Sequence, residues 1–142
     1  MPNPPSDQSA SLPDERLAAA YRNARYVFNG FALQIDVPHP DFDRWLAHEG
    51  YHDYAFLTAC NPRSKPLSAT RNLARHGRLL ALTGSLTHRG ATGTDPDGRW
   101  PDEPGLLLLD APREKVRDLG RRFGQYAIVE GEAGGSPRLY WL

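Results

Sequence analysis

The chain has 142 residues, with 17 basic and 17 acidic side chains, 39% hydrophobic residues and one cysteine. That length predicts a single domain that hides roughly two-thirds of its unfolded surface. The lone Cys60 excludes an internal disulfide, and no run approaches the roughly 20 apolar residues that a membrane span needs.

From Met1 to Ser11 the chain is rich in Pro and Ser and has no apolar stretch. This predicts a disordered tail over 1–11 and a single domain over 12–142, with neither signal peptide nor membrane anchor. A cytoplasmic protein is expected. Ser11, Pro13 and the acids after it predict a helix to about Asn23. Arg25 to Val37 is β-like, and Asn29-Gly30 is a tight-hairpin signal, with one long bulged strand as the competing reading. A short helix is expected over Asp41–Glu49, with Phe42, Trp45 and Leu46 on one side and Gly50 as its stop.

The apolar run Tyr54 to Ala59 predicts a central strand, which Asn61-Pro62 breaks. Ser68 then caps a helix to about Thr83, with Leu73, Gly77, Leu80 and Ala81 at buried spacing and the arginines outside. A weaker strand follows over Ser85–Gly93, then a turn at Asp95-Pro96-Asp97-Gly98 and a second buried strand at Leu106–Leu109. Pro112 opens a helix to about Phe123, with Val116, Leu119 and Phe123 inward. Gln125–Glu130 and Arg138–Leu142 read as the last strands.

The order from Tyr54 to Glu130 is β-α-β-β-α-β. It predicts an α+β fold: an antiparallel sheet with a ferredoxin-like core and an N-terminal helix-and-strand extension. Both core helices are expected on one face, and the two apolar runs as central, parallel strands. Gln125 is expected beside the end of the first run, next to Asn61. Glu103 and Glu130 are expected at the opposite sheet edge.

Three separated segments carry a family pattern: Thr58-Ala59-Cys60-Asn61-Pro62-Arg63-Ser64, Glu103-Pro104 after Gly98-Arg99-Trp100, and Phe123-Gly124-Gln125 before the last core strand. Together, from about Tyr21 onward, the chain resembles a bacterial family of small proteins known as domain of unknown function 3293. The resemblance implies no activity. It implies that Asn61, Ser64, Glu103 and Gln125 belong to the family pattern, and that Cys60, where relatives more often have an aromatic, is not a shared nucleophile.

Charge is zero in total but uneven. Tyr54 to Thr94 holds six basic residues and no acid. A cationic block of this kind is where an anionic partner binds, unless its arginines merely solvate a helix face. The candidate ligand-binding residues are Asn61, Arg63, Ser64, Lys65, Ser68, Arg71 and Gln125. They combine cations, neutral donors and a helix N-terminus, which suits a phosphate or carboxylate. The competing reading of Asn61-Pro62-Arg63-Ser64 is a turn that satisfies its own backbone. The expected partner is a phosphate-bearing small molecule or nucleic acid, with no cofactor and no membrane. An enzyme acting on a nucleotide or other phosphorylated substrate, with Glu103, His76 or His88 as base, is one alternative. A protein-interaction module is another.

Other motifs carry less. His48-Glu49-Gly50-Tyr51-His52 matches a zinc-hydrolase pattern, but Gly50 falls where the helix should stop. Asp95-Pro96-Asp97-Gly98 lacks the ligand spacing of a calcium loop. Trp100 with Arg99 can stack on a base or cover the core, and covering is the plainer role.

Overall fold

The computed structural model describes residues 15–142. The expected tail and the helix start at Ser11 and Pro13 lie outside the described residues. Four α-helices and seven strands follow: α1 (Glu15–Asn23), β1 (Arg25–Phe28), β2 (Phe31–Leu33), α2 (Pro40–Glu49), β3 (Asp53–Leu57), α3 (Ala69–Leu82), β4 (His88–Thr94), β5 (Glu103–Leu109), α4 (Arg113–Arg122), β6 (Ala127–Glu132) and β7 (Arg138–Trp141). A 3-10 turn, Pro62–Ser64, lies between β3 and α3.

The strands form one antiparallel sheet in the order β2-β1-β4-β5-β3-β6-β7, so the fold is α+β. Asn29 and Gly30 both take positive φ, at 49° and 84°, and Phe28 pairs with Phe31 across them. That is the two-residue hairpin, and it rules out the single bulged strand. Gly50 ends α2 at φ 82°.

Side chains alternate across the sheet and make two cores. Phe28, Tyr54, Phe56, Leu107, Leu109 and Val129 pack with Phe42 and Leu46 of α2. On the other face Ala55, Leu57, Leu106, Leu108 and Ile128 pack with Leu79 of α3 and with Val116, Leu119 and Phe123 around α4. Strands β3, β5 and β6 are buried on both sides, which is why they read as unbroken apolar runs.

Two expectations fail. The two apolar runs are neighbours but antiparallel, with Tyr54 opposite Leu109 and Leu57 opposite Leu106. After β3 the helix α3 carries the chain back so that β4 runs parallel to β3, and the β4–β5 turn then reverses it, so the second run returns in the opposite direction. Glu103, at the start of β5, therefore lies at the end of β3 beside Asn61 and not at the far edge. Glu130 does lie away from it, opposite Ala55.

The inward side of α3 is also rotated from its apolar spacing. Leu73 is 67% exposed, Leu80 39%, and Gly77 meets nothing within 4 Å of where a Cβ would sit. Only Leu79 is fully buried. Asn72, Arg75, His76 and Thr83 share its side at helical spacing and are all shielded from solvent to some degree. Arg75 points inward, its guanidinium donating to the carbonyls of Ala59 and Phe123. Carbonyls at the loop ends need donors, and the helix supplies them with polar side chains in place of leucines.

Candidate functional site

The site grows from the way β3 ends. The Thr58 hydroxyl donates to the Pro104 carbonyl at 2.9 Å and accepts from the Cys60 amide at 3.0 Å. The chain then turns through Asn61, at φ 48° and ψ 61°. Asparagine enters this left-handed region more readily than most residues with a side chain. Its side chain is a hub. Oδ1 accepts from the Leu67 amide at 2.9 Å and from Asn72 Nδ2 at 2.8 Å. Nδ2 donates to Glu103 Oε2 at 2.7 Å, while its own amide donates to Asn72 Oδ1 at 3.0 Å.

Arg63 and Ser64 follow with φ of 52° and 57°. Three side-chain-bearing residues within four positions are thus left-handed, each costing on the order of 1–3 kcal/mol. The Arg63 amide is tied to the Gly124 carbonyl at 2.7 Å. Gln125 Nε2 donates to the Cys60 carbonyl at 3.0 Å and to Phe123 O at 3.3 Å. Ser68 Oγ caps α3 by accepting from the Arg71 amide at 3.2 Å.

The candidate residues therefore divide. Asn61, Ser68 and Gln125 spend their hydrogen bonds on the protein and hold the loop in shape. Arg63, Ser64, Lys65 and Arg71 are exposed on its surface. Seven arginines elsewhere face acids, Arg22 with Asp36, Arg44 with Asp41, Arg99 with Asp95 and Asp97, Arg113 and Arg117 with Glu130, Arg121 with Asp118 and Arg138 with Glu132, while Arg25, Arg75 and Arg89 donate to backbone carbonyls. Among the described residues, none of the recorded ion pairs involves Arg63, Lys65, Arg71 or Arg78.

Sequence reasoning missed three partners here. Asn72 and Tyr21 sit within helices and carry no motif of their own, and Glu103 falls at the other sheet edge when the two apolar runs are taken as parallel. Tyr21 lies over the same end of the sheet, near Ser64, Glu103 and the Ala127 amide. Burial, reinforced by the Glu103 charge, pushes its phenol up to about 12. Burial likewise raises Tyr26, with Tyr21 and Glu103 adding to it. The Tyr26 hydroxyl donates to the Tyr21 carbonyl at 3.2 Å. Cys60 is 1% exposed and burial pushes its thiol up, which keeps it protonated and unreactive.

Glu103 itself is half-buried, and burial raises its carboxyl above the ordinary value despite the Asn61 hydrogen bond. The folded chain thus holds a proton that the unfolded chain releases, and stability falls as pH rises through that window. Glu103→Gln keeps an acceptor for Asn61 but removes the charge. It is expected to flatten the decline in urea midpoint from acid to neutral pH, and to leave the variant at least as stable as the parent at neutrality. An unchanged pH profile would mean the carboxylate is solvated after all.

The remaining motifs resolve locally. Gly50 breaks the helix between His48 and His52, and the His52 side chain is 90% exposed, 3.7 Å from Asp110. Asp95 accepts from the amides of Asp97 and Arg99 and from the Arg99 side chain. Burial pushes its carboxyl up, but those donors outweigh it and hold the carboxyl below its ordinary value. A cavity of about 10 Å³ between Asp53, Arg113 and Glu130 lies at the other end of β3. No described helix is long and apolar enough to cross a membrane.

A family model described as protein of unknown function (DUF3293) matches residues 57–128. The matched stretch runs from the end of β3 to the start of β6, and so contains the Asn61 hub, α3, Glu103 and Gln125. No curated protein and no solved structure matches the chain.

Proposed function

The chain belongs to the DUF3293 family, whose description carries no chemistry, and we propose from the geometry that it binds a phosphate-bearing ligand, a small molecule or a nucleic acid, on the Asn61–Arg71 surface. One observation carries this reading. Arg63, Lys65 and Arg71 stand exposed with no recorded ion pair, beside a loop that internal hydrogen bonds hold in a costly conformation, while seven other arginines of the chain face acids. Strain persists where the surroundings over-determine it, and it gathers at ligand clamps. Exposed cations without an acidic partner attract phosphate.

The scaffold reading that goes with this is a ferredoxin-like core, β3-α3-β4-β5-α4-β6, within a single cytoplasmic domain over 12–142. The strand adjacency β4-β5-β3-β6 supports that core. It brings the end of β3 and the starts of β5 and β6 together under the loop.

The test is a thermal-shift series with nucleotides, sugar phosphates, and short RNA and DNA. Binding to the folded chain raises its melting temperature with ligand excess. Arg63→Ala, Lys65→Ala and Arg71→Ala combined are expected to abolish the shift without lowering the melting temperature of the free protein. A nucleic acid would lose affinity steeply with salt, and a single phosphate would not. An undiminished shift in the triple variant would end the proposal.

A second reading is an enzyme acting on the phosphorylated ligand. The 2.7 Å contact between Asn61 and Glu103 favours it, because it puts a carboxyl of raised proton affinity beside the loop. Chemical turnover of a bound phosphoester separates this reading from simple binding.

A further inference from the structure

Glu103 differs from the other shielded carboxylates of the chain. Asp95 is 9% exposed and is met by the Arg99 guanidinium at 3.3 Å. Glu130 is 4% exposed and is met by Arg117 at 2.7 Å and Arg113 at 3.7 Å. Glu103 has no cation among the described residues. One of its oxygens, Oε2, takes the Asn61 amide, and Oε1 has no recorded protein donor. A carboxylate offers about four lone-pair sites, so most of its accepting capacity is unspent. The one buried side-chain polar atom without a partner among the described residues is His76 Nδ1, so Glu103 Oε1 reaches solvent and is open to a ligand.

Beside this unpaired anion stand unpaired cations. Glu103 is hydrogen-bonded to Asn61, which stands two residues before Arg63, and Asn61 is in turn hydrogen-bonded to Asn72, next to Arg71. Glu103 begins β5 and the cations stand on the loop and helix that follow Asn61, and no recorded ion pair joins them. The Asn61 amide holds one oxygen of the carboxylate, and the chain after Asn61 turns through the left-handed residues Arg63 and Ser64. An unspent acceptor and unpaired phosphate donors thus both border the Asn61 hub.

We infer that the Glu103 carboxylate receives a hydroxyl of the ligand whose phosphate rests on Arg63, Lys65 and Arg71, so that the ligand class is a hydroxyl-bearing phosphomonoester of the sugar-phosphate or nucleotide kind. This rests on the phosphate reading above and narrows it. A bare phosphate satisfies the cations and leaves Glu103 unmet. A ligand with a hydroxyl a few bonds from its phosphate satisfies both. Tyr21 and Tyr26, with raised phenols, stay neutral throughout and add no competing charge beside the carboxylate.

The test compares ribose 5-phosphate with methyl phosphate by isothermal titration. A hydrogen bond to a charged acceptor is worth about ten- to a hundredfold in affinity. The parent protein is therefore expected to prefer ribose 5-phosphate by at least about tenfold. Glu103→Gln is expected to bring the two ligands within about threefold, leaving methyl phosphate bound as well as before or better, since a repelling charge is gone. The Arg63, Lys65 and Arg71 triple variant is expected to lose both ligands. Equal affinities in the parent, or a preference that survives in Glu103→Gln, would overturn this inference while the phosphate reading stands. RNA binding with neither small phosphate bound would do the same. Failure of every phosphate compound to bind the parent would remove both. A melting curve for Glu103→Gln confirms that the comparison is made on folded protein.

Discussion

Phe42→Ala is expected to cost about 3–5 kcal/mol, the usual range for emptying an aromatic site in a closed core. Phe42 is fully buried. Its ring meets Tyr54 edge-on at 5.0 Å between centroids, Phe31 at 5.5 Å and Trp45 at 5.9 Å. These three neighbours come from β3, β2 and α2, so the one ring joins the hairpin, the helix and the central sheet. Each neighbour is an aromatic ring held by others, for Trp45 also packs on Phe28 and Tyr51 and Tyr54 on Phe56. Such a cluster collapses poorly into a void. Chains of this kind are stable by only about 5–15 kcal/mol, so a large share of the total goes. Chemical denaturation should show a lower midpoint with little change in slope, and the melting temperature should fall by about 10–20 °C. A loss below about 1 kcal/mol would mean that the aromatic cluster repacks freely.

Asn61→Ala is expected to cost about 2–4 kcal/mol and to weaken binding to the loop in the same step. The substitution removes the donor to Glu103 and the acceptor for Leu67 N and Asn72 Nδ2. It also places alanine at φ 48°, a conformation that costs a residue with Cβ about 1–2 kcal/mol. Asn61→Gly separates these causes. Glycine tolerates the turn but restores none of the hydrogen bonds, so it should recover about 1 kcal/mol of stability and none of the anion affinity. If glycine restored affinity fully, the backbone turn alone would hold the cations in place, and the side-chain hub would be incidental. Denaturation midpoints and titration with the same phosphate ligand measure the two effects independently.

Elements with an unambiguous period were legible from the residues. The runs around Tyr54–Leu57 and Leu106–Leu109, the hairpin at Asn29-Gly30, the Ser68 cap and the inward Val116, Leu119 and Phe123 all follow from local chemistry. Gln125 beside the end of β3 was legible from topology. Strand direction was not, and it decided the position of Glu103: with the two apolar runs taken as parallel, the carboxyl fell at the wrong edge. The inner side of α3 was misread because apolar spacing was taken to mark burial. Asn72, Arg75, Leu79 and Thr83 recur at the same helical spacing as a leucine stripe. Their polarity disguised them, since the need they answer is that of loop carbonyls and amides whose positions depend on the whole fold.

That inner side of α3 has a consequence for how the helix can move. Apolar surfaces slide over one another by small steps at little cost, whereas hydrogen bonds fail over a few tenths of an ångström. With Leu79 its only fully buried side chain, α3 is seated by Asn72 on Asn61 and by Arg75 on Ala59 and Phe123. It cannot glide along the sheet or rotate by a fraction of a turn while these contacts last. Its motion is expected to be all-or-none: seated, it is tied to the sheet, and opening of those few bonds frees it together with the loop that precedes it.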